Sequence, residues 1–286
     1  MRFGHMHVAV AGLALAMLVV TPVATAQEAD AIKTQAKKLL DANQDAVVHV
    51  KIALKQRMSF FGQEGQGQDS QTEVTGTIID PSGLTVVSES DIDPMSMMMS
   101  MMGGIMGGAG LEGGIDAQSE VTDVKIVLKD GKELPARLVL RDKDLDLAFV
   151  APQQKDMKLP HVSLGSGKAP EFFDEIFVVR RLDRSLDRQP AIGLARISAI
   201  VQKPRTFYVP DSMAEQLGCP VLDRQGKVVG ITVRRRGPAS GGGMFSFAGL
   251  AGAMTAVILP AEDVKEIAEQ ALAEAAKPAQ KKSEEK

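Results

Sequence analysis

A chain of 286 residues with a formal net charge of −3 carries no basic excess that would draw it to nucleic acid. Hydrophobic residues make up 44%, yet Trp is absent and Tyr208 is the lone Tyr, so a core here must rest on Val, Ile, Leu and Ala. The single cysteine, Cys219, excludes an intramolecular disulfide.

Residues 1–26 have the layout of a secretory signal: Arg2 as the positive start, Val8–Val20 as an apolar run, and Ala24-Thr25-Ala26 as a cleavage site. The apolar run is shorter than the ~20 residues needed to cross a bilayer. Export to a periplasmic or extracellular compartment is therefore expected, with a mature start near Gln27. Residues 27–45 are expected to hold a helix, because Glu28–Asn43 is rich in Ala, Lys, Gln and Leu. Ala46–Leu54 reads as a strand, Gly62–Gln71 as a polar loop, and Glu73–Ile79 as a strand ended by the Asp80-Pro81-Ser82-Gly83 turn. Leu84–Val87 continues as the hairpin partner. Val124–Leu128 and Glu133–Leu140 flank an Asp130-Gly131 turn, a hairpin signal. Leu147–Val150, Ile176–Val179, Ala195–Val201, Pro220–Leu222, Lys227–Val233 and Thr255–Ile258 are further strands, and Ala261–Ala275 an amphipathic helix. Residues 276–286 form a charged tail. Many short strands with frequent turns argue for an all-β sandwich or barrel.

Several stretches carry a resemblance. Ala214–Ile231 (AEQLGCPVLDRQGKVVGI) resembles the segment around the nucleophile of trypsin-fold proteases of the HtrA (Deg) type. Gly76–Leu84 resembles the hairpin before the catalytic His, Val124–Leu140 the strand–turn–strand unit, and Asp142–Phe149 the motif bearing the catalytic Asp. Leu159–Gly165 and Val257–Gln270 are similar to the connection between the family's two halves and to its closing strand and helix. Their common order implies a trypsin-like double six-stranded β-barrel with short flanking N- and C-terminal helices. Residues 46–155 form its first barrel and 156–275 its second. The residues after the closing helix are too few for the PDZ domain that HtrA-type proteins usually carry, so a member without one is expected.

The resemblance also implies a triad of nucleophile, base and orienting carboxylate. Asp146 matches the carboxylate, but Ser90 falls at the base and Leu217 at the nucleophile. A Ser hydroxyl is no base near neutral pH, and Leu has no lone pair. Glu215 stands where the family has the Gly that opens its oxyanion loop, and the loop from Asp211 to Pro220 is two residues short. A carboxylate there opposes stabilisation of a developing oxyanion. His49 and His161 match no catalytic position. Cys219, two residues from the lost nucleophile, reads as a small buried thiol with no activating neighbour.

Two apolar, glycine-rich insertions remain, at 93–114 and 237–253. The first contains Met97, Met98, Met99, Met101 and Met102, and the second Met244, Phe245 and Phe247. Flexible Met surfaces suit varied peptide or protein partners. They could also meet a membrane surface or a second copy, hold Cu(I) through soft thioethers, or pack on themselves. No cofactor motif is present and no metal site is assigned. Arg234-Arg235-Arg236 reads as a solvated strand end, and Arg180–Arg188 as a mixed-charge loop paired within itself. The expected function is that of a catalytically inactive protease homologue binding a peptide or partner protein. A serine-type endopeptidase acting in envelope proteolysis or protein quality control is the alternative, and copper binding through the Met loop the second alternative.

Overall fold

The structure, a computed structural model, describes residues 23–60, 63–64, 67–94, 115–165, 167–212, 216–236 and 254–277. Residues 93–114 past Pro94, residues 237–253 and the tail past Lys277 thus lie outside the described residues, as does Glu215. The chain divides into two compact units, Met1–Thr34 and Gln35–Lys286. Helix α1 (Val23–Asn43) starts inside the expected signal region, before the start expected at 27, and ends where Asn43 donates its side-chain amide to Leu39 O. No described helix is long and apolar enough to cross a membrane.

The second unit consists of two closed six-stranded antiparallel barrels. In the first, β1 (Val47–Phe60), β3 (Gln68–Ile78), β4 (Thr85–Ser88), β7 (Leu147–Pro152), β6 (Glu133–Asp142) and β5 (Ile115–Val127) pair in that order, and β5 closes the ring on β1. Alternation along β1 turns Val48, Val50, Ile52 and Leu54 into the core, where Val74, Ile78, Val124, Ile126 and Val150 meet them. The polar loop expected over Gly62–Gln71 is instead strand over much of its length. β2 (Gln63–Glu64) folds back on Ser59 and Phe60, and β3 begins at Gln68 and pairs through Gln56↔Gln68. A polar composition did not prevent a strand whose backbone is held by β1, because ladder hydrogen bonds do not depend on side-chain polarity.

The second barrel closes in the order β10 (Phe207–Pro210), β13 (Met254–Pro260), β12 (Val228–Arg236), β11 (Pro220–Leu222), β8 (Glu175–Arg181) and β9 (Pro190–Val201). Strand β10 has no counterpart in the sequence reading, since four residues with a proline show no usable period. Ile176, Val178, Ala195, Ile197, Tyr208, Val221, Val229 and Ile258 fill this core together with Cys219. Helix α3 (Ala261–Ala276) buries Val264, Ala268 and Ala271 at helical spacing. Arg137, from β6, donates Nη2 to the carbonyls of Glu274, Ala275 and Lys277, which satisfies that helix's C-terminal end.

The mixed-charge loop after β8 is not paired within itself as expected; it ties the barrels together. Arg181 is 6% exposed and donates to Val47 O at 2.7 Å, Gln44 O at 2.6 Å and Arg188 O at 3.1 Å. Arg188 grips both oxygens of Glu73, on β3, at 2.9 and 2.8 Å. These long side chains reach carbonyls and a carboxylate more than a hundred residues away in sequence, which local charge alternation cannot show.

Candidate functional site

The site lies on the seam between the barrels and starts from Asp146. This residue sits in the left-handed region at φ 57 in the turn before β7, a conformation Asp tolerates better than most side chains. Its carboxylate is 5% exposed at residue level. Oδ1 accepts the Ser90 N–H at 2.7 Å, and Oδ2 accepts the Ser88 hydroxyl at 2.7 Å and the Arg234 N–H, from β12, at 2.6 Å. Burial raises the Asp146 pKa, and the Arg234, Ser88 and Ser90 bonds offset part of that rise.

Ser90 lies in a single helical turn, α2 (Glu89–Ile92), and is buried. Its hydroxyl meets Ser88 Oγ at 3.0 Å. Asp146 therefore faces two serine hydroxyls and two backbone N–H groups and orients no imidazole. Beside them, half-buried Asp91 pairs with Arg234 at 3.3 Å. Burial pushes Asp91 up to about 6, helped by the charge of Asp146 and opposed by Arg234. Arg234 is thus part of the seam and not a solvated strand end. Its neighbour Arg235 lays its guanidinium 4.8 Å from the Phe207 ring centroid.

Leu217, across the seam, is 1% exposed. The loop that carries it is strapped to β12: Gly218 N–H donates to Thr232 O at 2.8 Å, Thr232 Oγ1 donates to Gln216 O at 3.1 Å, and Cys219 N–H donates to Thr232 Oγ1 at 2.9 Å. Gly218 takes φ 71, and a Cβ on it would stand 2.5 Å from Thr75 O. Thr77 Oγ1 donates to Gly218 O at 2.6 Å, so a side-chain hydroxyl of the first barrel bonds the backbone of the second where Gly218 leaves room for the close approach. Cys219 is fully buried, and burial drives its thiol up to about 12, far from a nucleophilic thiolate.

A cavity of about 540 Å³ opens beside this loop, lined in part by His49, Glu73, Asp91, Arg184, Gln216 and Leu217. His49 shares the face of β1 opposite the core, yet the second barrel covers it to 3% exposure, and its Nε2 meets Leu182 O at 2.9 Å. Burial lowers its pKa, more than the Leu182 bond and Glu73 raise it. His161, by contrast, is exposed. Among the described residues no group of three or more His, Cys, Asp or Glu could hold a metal ion.

Ser90 donates its N–H to Asp146, and Leu217 lines the neighbouring cavity together with Asp91. Glu215, Met97, Met98, Met99, Met101, Met102, Met244, Phe245 and Phe247 lie outside the described residues. The sequence reading missed Ser88, Asp91, Glu73 and Arg188; of these only Asp91 had a signal, its position beside Ser90.

Two closed six-stranded barrels with an aspartate buried at their seam, bonded to Ser88 and Ser90 on one side and to the Arg234 N–H of β12 on the other, define a trypsin-type peptidase fold. The chain belongs to the trypsin-like peptidase domain family, whose sequence model matches residues 74–231, more than half of the chain. Comparison with curated proteins found no match.

Proposed function

We propose that this chain is an exported, HtrA-type member of the trypsin-like family that has lost catalysis and binds a peptide or partner protein in the cleft between its barrels. The observation that carries this reading is Asp146 bonded to Ser88, Ser90 and the Arg234 N–H where the resemblance expects an imidazole. Catalysis by this fold needs an imidazole to take the nucleophile's proton and a carboxylate to orient it. Here the carboxylate is saturated by Ser88, Ser90 and Arg234, and the position that the resemblance gives to the nucleophile is a buried leucine, Leu217. The cleft beside them keeps the volume and the mixed polar and apolar lining of a binding site. The segment 1–26 supports export, and the ordered motifs from Gly76 to Gln270 support the HtrA-type assignment.

The test is incubation of the purified mature protein with unfolded casein, followed by intact-mass analysis and by fluorescence anisotropy of labelled casein. Bound but uncleaved casein is the expected result. Cleavage that follows the protein through successive purification steps would overturn the reading in favour of a serine-type endopeptidase.

A further inference from the structure

A second cavity, of about 510 Å³, lies on the outside of the second barrel, between the turn before β8 and the β11–β12 turn. Ala169, Pro170, Ile176 and Val229 give it apolar walls, and Lys168, Arg196 and Arg224 supply cations. Glu175 organises it. Its side chain is 8% exposed; Oε1 accepts Arg196 Nη2 at 3.1 Å and Oε2 accepts Arg224 Nε and Nη2 at 2.9 and 2.5 Å. One buried carboxylate therefore holds two guanidiniums at one rim, and these guanidiniums lower its pKa against the effect of burial. Asp174 and Asp223 also line the cavity, but their carboxylates are engaged by backbone. Asp174 accepts Glu171 N–H and Asp223 accepts the N–H groups of Gln225 and Lys227, while Asp211 accepts Arg196 N–H and Glu171 pairs with Lys168. Among the described residues, Arg224 Nη1 and Arg196 Nε and Nη1 meet no acceptor, so the rim offers directed cationic donors.

Aromatic surface stands beside these donors. Phe172 and Phe173 are 65% and 58% exposed, with ring centroids 5.5 Å apart, and the Arg196 guanidinium lies 5.3 Å from the Phe173 centroid. Phe173 also sits at φ +72, a region that a bulky side chain rarely adopts. Glycine would hold that turn without strain, whereas the ring is only partly covered, by Phe172 and the Arg196 guanidinium. Strain retained for so little packing is found where a side chain is held for a ligand.

We propose that this cavity is a binding site for an aromatic carboxylate, whose ring stacks on Phe173 and whose carboxylate is gripped by Arg196 and Arg224. The site is separate from the inter-barrel cleft and does not depend on its function. Stacking on an aromatic face and a paired guanidinium–carboxylate contact are both orientation-specific, so together they select a flat anion over either component alone.

The test is titration of the mature protein with benzoate and with the dipeptide N-acetyl-Phe-Glu-amide, followed by the NMR shifts of the Arg196 and Arg224 Nε–H groups. Acetate and benzyl alcohol serve as controls. Saturable shifts with benzoate or the dipeptide, at least tenfold tighter than with either control, are expected. The tighter of the two identifies a small-molecule or a peptide source. The variant Phe173→Gly should keep or raise the melting temperature, because it relieves the turn, while weakening binding at least tenfold. Arg224→Gln should abolish saturation. Equal affinity for benzoate and benzyl alcohol, equal affinity for benzoate and acetate, unchanged binding by Phe173→Gly, or no saturable shift at all would each overturn the assignment.

Discussion

At the scale of single residues, Cys219 and Asp91 show how burial rewrites ordinary chemistry. The thiol of Cys219 is enclosed by the second core and its pKa is pushed up to about 12. It should not react with a disulfide reagent at pH 8 in the native protein, and should react fully once urea unfolds the chain; absorbance of the released thiolate reads both states. Asp91 is shifted the same way and mainly for the same reason, burial of its carboxylate, with the charge of Asp146 adding to the rise and Arg234 opposing it. Because its folded pKa, about 6, lies above the ordinary carboxylate value, the folded state holds this proton more tightly than the unfolded chain does. Its contribution to stability is present below the unfolded value and is lost as pH rises through about 6. Asp91→Asn should therefore raise the melting temperature at pH 7.5, and the gain should vanish near pH 4. His49 acts oppositely: its lowered pKa removes stability as pH falls below the unfolded value of 6.5. The comparison with Asp91→Asn isolates the carboxylate from this background.

Restoring the missing groups by Ser90→His with Leu217→Ser should leave a poor enzyme. Ser90 is 4% exposed, so an imidazole must displace its packing, and the short loop bearing Glu215 is unsuited to an oxyanion. Casein turnover within a factor of ten of an active trypsin-fold protease would refute this.

Between elements, the decisive contacts run from one barrel to the other. Arg181, at the end of β8, satisfies carbonyls of Gln44 and Val47, at the entry to β1, as well as one in its own loop. Replacing it with Ala orphans those carbonyls at the seam. With roughly 1–3 kcal/mol for a buried polar group left unpaired, Arg181→Ala should cost on the order of 3 kcal/mol in urea unfolding. Gly218 marks a second such contact, where the backbones of β3 and the Leu217 loop approach too closely for a side chain. The elements themselves were legible to different degrees. β4, β7, β8 and the hairpin at Asp130-Gly131 carry alternation or turn signals, and their strands lie within a few residues of expectation, except that β5 begins at Ile115, nine residues before the expected Val124. β2, the start of β3 and β10 were not legible, since their pairing comes from partner backbones and not from their own apolar pattern.

At the scale of the molecule, the clusters that fill the two barrels have no member in common among the described residues, yet Arg181, the Arg188–Glu73 pair and the Thr77–Gly218 bond cross the seam. The barrels should accordingly unfold in a single calorimetric transition, which Arg181→Ala should broaden or split. Two resolved transitions in the wild-type protein would show that the seam does not couple them.

The sequence by itself determined the class of fold, because turn chemistry and strand alternation are local and residues 74–231 match the family's sequence model. It also singled out Ser90, Asp146 and Leu217 as positions expected to share a site, since a side chain's chemistry is readable from its identity once its position in a motif is known. Only the tertiary structure decided what surrounds them: the serines and backbone groups that saturate Asp146, the burial that shifts Asp91 and Cys219, and the arginines that bind the barrels. Those properties depend on desolvation and on contacts between residues distant in the chain, and neither leaves a periodic trace in a sequence.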